Sequence, residues 1–317
     1  MTLRKMALEM RVPMSHVLAI ADTASHRYKT YRIAKRTGGS REISHPAMEL
    51  KSLQRWIADN ILSKLPVHDS VYSYRIGRGI RDHAELHKKQ NYLVRIDFKD
   101  FFPSITAKDV TRLLIENRVK LPPLITAEDV RYICKIVCRN GRLTIGAPSS
   151  PAISNAVLYS FDKHWSRVCI QRKIIYSRYA DDIYLSTNIP NILGPTFSEI
   201  RNDLASREWP KLAINRRKVV FTSRKHNRNV TGLTLTSDRR ISIGHDKKRM
   251  LRSLVYKFAQ GELSVKDVSY LRGYLSYVKS VEPNFIAKLR MKYDSAVIRR
   301  IMKAELAARK VVKSKKK

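Results

Sequence analysis

The chain has 317 residues, 43% of them hydrophobic, with only 11 Gly and 12 Pro, which is material for one large or two ordinary packed domains and excludes a disordered chain. Its 63 Lys and Arg against 27 Asp and Glu give a formal net charge of +36, and the last nine residues carry only six of the positive charges. Most of the excess therefore lies in the body of the protein, where it repels itself unless nucleic acid or an anionic membrane face neutralises it. No run approaches the ~18 apolar residues of a membrane span. The N-terminus is interrupted by Glu9, Arg11 and Pro13, so no signal-peptide core is present and a cytoplasmic protein is expected.

Residues 46–65 place Leu50, Leu53, Trp56, Ile57 and Ile61 on one helical stripe, with Pro46 near its start. The run 92–97 reads as a short, largely buried strand ending on Asp97. Two helices follow, opening on Thr106 with Asp109 and on Thr126 with Asp129. Each pattern resembles a capping box with Asp in place of the usual Glu or Gln. Leu121-Pro122-Pro123 breaks the chain between them. Residues 151–166 start on proline and read as helix, and the β-rich arms of 174–187 flank an acidic corner at Ala180-Asp181-Asp182, which predicts a hairpin. A helix near 196–208 and a strand near 212–222 come next, then a second hairpin over 229–244 turning at Ser237-Asp238. From about residue 245 the pattern is helical, over 246–260, 264–280 and 284–308, ending in a basic tail. The change near 230–245 predicts a boundary between modules. Cys134, Cys138 and Cys169 form no CxxC pair, and buried structural thiols are expected rather than a metal site or disulfide.

In so basic a chain the acids at strand ends carry the information. Asp97 closes one β-run, and Asp181 and Asp182 sit at a hairpin corner between apolar and aromatic residues. Carboxylates on rigid strands suit Mg²⁺, a hard cation that takes a few protein oxygens and keeps waters or substrate phosphates for the rest. Two such ions, roughly 3.5–4 Å apart, activate an attacking hydroxyl and neutralise a leaving pyrophosphate in in-line phosphoryl transfer. A bare Asp-Asp pair in a turn is more often a solvated loop, so the flanking residues have to decide.

VRIDFKDFFPSI (94–105), GAPSSPAISN (146–155), YADD (179–182) and INRRK (214–218) stand in the order and at roughly the intervals of the palm motifs of reverse transcriptases. The chain resembles these enzymes from about Tyr28 to Tyr293. The resemblance implies an α+β, right-hand polymerase fold with fingers, a palm of antiparallel sheet and helices, and an α-helical thumb. Carried onto this chain, it gives an N-terminal helical extension at 1–27, fingers with a basic hairpin and linking region at 28–92, a palm with a fingers insertion at 93–228, and a thumb with a basic tail at 229–317. It implies that Asp97, Asp181 and Asp182 hold two catalytic Mg²⁺ ions, with Mn²⁺ able to substitute. It places Phe98 and Phe102 at the nucleotide, Phe102 as an aromatic gate against the sugar 2′-OH, and Lys218 as the proton donor to the leaving pyrophosphate. On residue type alone, Phe101 and Phe102 fit a core and Lys218 fits a surface ion pair. YRIAKRTGGSREI (31–43) resembles the fingers hairpin whose cations, here Lys35 and Arg41, hold the incoming triphosphate, with a turn at Gly38-Gly39. A basic hairpin also fits generic binding of an RNA backbone. Gly146 and Ala147 would let the chain approach nucleotide or template, and Ile145 stands where many relatives have Gln.

Val230-Thr231-Gly232, just before the helical module, resembles the triplet of retron reverse transcriptases. His83-Ala84-Glu85-Leu86-His87 resembles their Asn-Ala-x-x-His element at Ala84 and His87, with His83 in place of Asn. The two histidines lack the third ligand nearby that a metal site needs. With no room for an RNase H, integrase or endonuclease domain, the chain resembles a compact bacterial enzyme. The retron resemblance implies a cognate structured noncoding RNA of the msr-msd type and priming from the 2′-OH of an internal guanosine. It further implies extension with dNTPs into a branched RNA–DNA hybrid, msDNA, and antiphage defence with an effector protein encoded nearby. No membrane partner is expected. Lys247, Lys248, Arg249 and Arg252 are the cations expected to grip an RNA stem beside Val230-Thr231-Gly232, mainly through phosphate and shape. Tyr256, Tyr270, Tyr274 and Tyr277 read as packing residues rather than base-stacking platforms. The rival readings are a diversity-generating or CRISPR-associated reverse transcriptase with 3′-OH priming, and a non-catalytic RNA-binding protein on the same scaffold.

Overall fold

The computed structural model describes residues 2–34, 38–121 and 125–314, with side chains described through 304. Pro122, Pro123 and the end of the basic tail lie outside the described residues. The chain begins with helices α1 (Thr2–Glu9) and α2 (Met14–Asp22), the antiparallel hairpin β1 (Tyr28–Ala34) and β2 (Ser40–Pro46), then α3 (Met48–Asn60) and α4 (Ile80–His87). Strand β3 (Tyr92–Lys99) leads into α5 (Phe101–Ser104), α6 (Ala107–Glu116), α7 (Ala127–Val137), α8 (Ser150–Val157) and α9 (Tyr159–Gln171). Strands β4 (Ile175–Tyr179) and β5 (Asp182–Thr187), helix α10 (Leu193–Ser206) and the short strands β6 (Ala213–Ile214) and β7 (Val220–Ser223) follow. The remainder is β8 (Arg228–Val230), β9 (Leu233–Leu235), β10 (Ile241–Ser242), α11 (His245–Ala259), α12 (Val265–Val281), α13 (Pro283–Tyr293) and α14 (Ser295–Ser314).

These elements gather into two units, Met1–Arg78 with Tyr92–Phe221, and Gly79–Asn91 with Thr222–Lys317. The first is built on the strand order β4-β5-β3-β6. Leu93, Val94, Ile96 and Phe98 of β3 are all buried, and α10 packs on β3 and β5 while α9 packs on β4. The stripe expected on α3 is realised by buried Leu50, Leu53 and Ile57. Both capping boxes form. Asp109 Oδ2 accepts the Thr106 N–H at 2.7 Å, and Asp129 Oδ2 accepts the Thr126 N–H at 3.0 Å. Each Thr hydroxyl accepts the Asp amide in return, so the shorter acid closes the box as Glu would. All three cysteines are free and buried, and burial raises the pKa of each thiol, which suits inert packing groups.

The second unit is a small antiparallel meander, β8-β9-β10, with α4 packed on it, followed by the four C-terminal helices. Here the chain departs from its expected outline. The hairpin expected to turn at Ser237-Asp238 has an earlier turn at Thr231-Gly232, both at positive φ, so three strands form instead of two. The helix expected over 284–308 divides at Asp294, which adopts φ +69° and accepts the Ala296 N–H at 3.1 Å, capping the helix that follows. In the first unit, helix 151–166 divides at Leu158, and strand 212–222 survives only as β6 and β7 around a tight turn at Arg216–Lys218. Among the described residues no helix is long and apolar enough to cross a membrane.

Phe161 on α9 is fully buried, 6.4 Å from the Phe98 ring and 6.5 Å from Trp165. Phe161→Ala should cost ~3–5 kcal/mol by leaving a cavity under the sheet, against about 1 kcal/mol for the lost cap in Thr106→Ala. Thermal melting of the two variants should rank them in that order.

Candidate active site

The antiparallel register of β3 and β5 sets Asp97 directly opposite Asp182. Strands β4 and β5 pair through Tyr179 and Asp182, leaving Ala180 and Asp181 as a two-residue loop. The Phe98 N–H donates to the Asp181 carbonyl at 2.9 Å, and the Asn215 N–H donates to the Asp97 carbonyl at 2.8 Å. The backbone thus locks all three acids to one strand edge. Asp97 is 7% exposed, and the Lys218 ammonium, carried on the turn after β6, donates to its two carboxylate oxygens at 3.0 and 3.2 Å.

Crowding marks the electrostatics of this corner. Burial raises the Asp181 pKa, with Asp97 adding to the effect. Burial, then the neighbouring Asp181, pushes Asp182 up to about 7. Partly buried carboxylates crowded together in this way are short of positive charge, which a divalent cation would supply. Among the described residues no three His, Cys, Asp or Glu side chains form a group that could hold a metal ion, and Asp97 is engaged by Lys218. What the chain supplies toward a metal is the strand register and the carboxylate crowding.

Around the acids, the other expected residues sort by what they touch. Arg41 stands exposed on β2, and its charge acts on Asp181 and on Tyr74. Lys35 lies outside the described residues. Phe102 is partly buried at the edge of the core. Phe98 departs from its expected place at the nucleotide. Its ring stacks on Phe101 at 5.5 Å within the core, and only its backbone N–H reaches the acids. Gly146 has a close neighbour within the chain itself. At φ +118°, a Cβ there would meet the Ser44 carbonyl oxygen at 2.6 Å. The glycine therefore admits strand β2, whose Ser44 N–H donates to the Ile145 carbonyl at 2.8 Å, while Ala147 is buried. Sequence reasoning passed over Ser73, Tyr74, Asn155, Asp162 and Arg178. The available signal was an arginine, the one charge in the β-run 174–180, which needs a buried partner if that run is core.

In the second unit Val230 is fully buried, so of the expected RNA-facing triplet only the Thr231-Gly232 turn reaches the surface. Lys247 donates to the Gly232 carbonyl at 3.0 Å, Lys248 pairs with Glu282 at 2.5 Å, Arg252 lies 5.5 Å from the Phe285 ring centre, and Arg249 is exposed. Ala84 and His87 of α4 are fully buried, as is His83, whose ring meets that of His87 at 5.4 Å. Burial holds His83 down at about 3 and His87 well below its ordinary value, so both are neutral core residues at pH 7. Tyr256 and Tyr270, expected to pack, are about half exposed, and Tyr270, Tyr274 and Tyr277 form a ladder of ring contacts at 5.8 and 5.7 Å.

An acid-bearing antiparallel hairpin set against a third strand, with helices behind, is the palm of a polymerase. Residues 33–235 match the family model described as reverse transcriptase (RNA-dependent DNA polymerase). The chain thus has the right-hand polymerase fold and is an RNA-directed DNA polymerase. It is 37% identical to the retron Ec83 reverse transcriptase of Escherichia coli over 305 residues, 93% of this chain and 96% of that protein. It is 33% identical to the retron Ec73 enzyme and 30% identical to the retron Ec86 enzyme of the same organism, covering 86% and 90% of their lengths. The matches span both units, and the chain belongs to the retron reverse transcriptases.

The raised pKa of Asp182 has a signed consequence. Its folded value, about 7, stands above the ~3.9 of an exposed aspartate. The folded state therefore binds this proton more tightly, and the stability so gained is complete below about pH 4 and lost as pH rises through 7. Metal-free protein should gain on the order of 1–2 kcal/mol from this group between pH 8 and pH 5.5, after solvent screening. Melting curves in chelator should show Asp182→Asn with a flatter pH dependence than wild type; an unchanged slope would refute the assignment.

Proposed function

We propose that this chain is the polymerase of a retron that binds a structured noncoding RNA encoded with it, primes from the 2′-OH of an internal guanosine, and extends with dNTPs into branched msDNA. The observation that carries the reading is the match to retron enzymes over nearly their whole lengths, joined to the register that sets Asp97 against Asp182. The setting proposed is the cytoplasm, in antiphage defence with an effector protein encoded nearby.

In this reading Asp97, Asp181 and Asp182 hold two Mg²⁺ ions, or Mn²⁺ in their place. Bound there, such ions activate the priming hydroxyl and neutralise the leaving pyrophosphate. The chain's own residues orient the rest. Arg41, whose charge acts on Asp181, is positioned for the triphosphate. Lys218, held at Asp97, supplies the proton for pyrophosphate departure. Phe102, partly buried against the core and five residues after Asp97, sets sugar selection by its bulk. In the second unit, exposed Arg249 with Lys247 at the Thr231-Gly232 turn gives an A-form stem a cationic surface readable by phosphate and shape.

Nucleic acid copurifying with the protein tests the priming chemistry. A small DNA joined to RNA through a 2′–5′ linkage is the expected product, and linear cDNA with an ordinary 3′ junction would contradict it. Asp181→Asn should abolish dNTP incorporation while leaving RNA affinity within about twofold, because a phosphate-dominated interface does not use that carboxylate. Phe102→Ala should raise the rNTP-to-dNTP incorporation ratio at least tenfold; an unchanged ratio would remove the gate role.

A further inference from the structure

The loop that carries Asp181 is held in an unfavourable shape from outside. Ala180 sits at φ +55°, a conformation that glycine takes freely and an L side chain does not. Both of its polar backbone groups are taken by side chains. Its N–H donates to Ser73 Oγ at 2.8 Å, and its carbonyl accepts Arg178 Nη1 at 3.1 Å. The two holding groups are tied to each other through Asn155, whose Nδ2 donates to the Ser73 carbonyl at 3.0 Å and whose Oδ1 accepts Arg178 Nη1 at 3.2 Å. Arg178 is in turn fixed by Asp162 of α9, with Nε and Nη2 donating at 2.9 and 2.7 Å, and the Tyr176 hydroxyl donates to the same carboxylate at 2.7 Å. Residues 70–72 are stitched alongside β4 through the Arg178 N–H to the Ser70 carbonyl and the Tyr72 N–H to the Arg178 carbonyl, both at 2.9 Å.

Ser73, Asp162 and Arg178 are fully buried and Asn155 nearly so. Well-packed apolar residues usually stabilise such a place as well as a buried ion pair does, so stability alone is a weak reason for four polar side chains here. Their geometry has a sharper use. The arginine spends Nε and Nη2 on the Asp162 ion pair and shares Nη1 between Asn155 and the Ala180 carbonyl, and the residue after that carbonyl is Asp181. An error of about 1 Å in a reacting group costs on the order of a hundredfold in rate.

We infer that Ser73, Asn155 and Arg178, anchored by Asp162, are positioning residues that hold Ala180 in its left-handed conformation and so fix where Asp181 and Asp182 present their carboxylates. The inference rests on the reading of those two acids as catalytic. It makes the segment before Arg78, on the fingers side of the chain, part of the catalytic hairpin's support.

Arg178→Ala would strand the Asp162 charge and is expected to unfold the palm, so the test uses Ser73→Ala, which deletes one acceptor. On a primed template this variant should lose at least tenfold in kcat, with KM for dNTP within about twofold and the melting temperature within a few degrees. Amide hydrogen exchange over 179–182 should rise at least tenfold. Adding Ala180→Gly, which takes positive φ without strain, should recover most of the kcat, a rescue that a merely structural role for Ser73 does not provide. Wild-type kcat in Ser73→Ala, or a lost kcat with unchanged exchange in the hairpin, overturns the proposal. Retained activity in Asp181→Asn would instead sink the catalytic reading of the acids. The exchange measurement decides the hold on Ala180 independently, rising if the hold exists and unchanged if it does not.

Discussion

Like charges placed face to face on paired strands are the constraint around which the first unit is organised. Asp97 and Asp182 are opposed by register, and Asp181 is added in the loop between. Slipping that register by one residue would turn every side chain of β3 to the other face, so buried Val94, Ile96 and Phe98 fix the position of Asp97 as firmly as any contact it makes itself. Within the chain the repulsion is met by the Lys218 ammonium on Asp97 and registers as a raised pKa at Asp182.

The +36 charge divides along similar lines. Part of it is internal to the fold. Arg178 answers Asp162, Arg172 forks onto Glu199 at 2.9 Å, and Lys248 answers Glu282. With only 27 acids to pair against 63 bases, the larger part must face outward, and it is this remainder that belongs to nucleic acid. A protein so charged should bind its RNA with an affinity that falls steeply as salt rises.

Local pattern made much of this legible before any coordinates. The acidic hairpin, the strand that carries Asp97, both capping boxes and the helical C-terminal run each depend on residues within a dozen positions of one another, which periodicity and cap chemistry can read, although that strand runs on past Asp97 to Lys99 where it pairs with β6. Illegible were relations between distant residues. Nothing near Gly146 announces that its neighbour is the Ser44 carbonyl, about a hundred residues earlier, and nothing near Arg178 names Asp162, Asn155 and the Ser73 loop. Phe98 looked like a nucleotide contact because of its place in a motif, whereas the alternation of β3 turns it inward. The grouping of Gly79–Asn91 with the C-terminal residues is another pairing across long sequence separation. Val230-Thr231-Gly232 resembles a family triplet, but its turn geometry is not legible from residue type, since a Thr at positive φ is an uncommon choice.

Gly146 separates two ideas that are often treated as one, solvent exposure and freedom to mutate. The residue is exposed, and a surface-based library would include it among safe positions. Its missing side chain is nonetheless what lets the Ser44 carbonyl come within 2.6 Å of where a Cβ would stand. Any replacement must move strand β2, and with it the arm that carries Arg41. Directed evolution of this enzyme toward other substrates is better served by varying Ile145, whose role in that contact is played by its backbone carbonyl alone, and by leaving the glycine after it untouched.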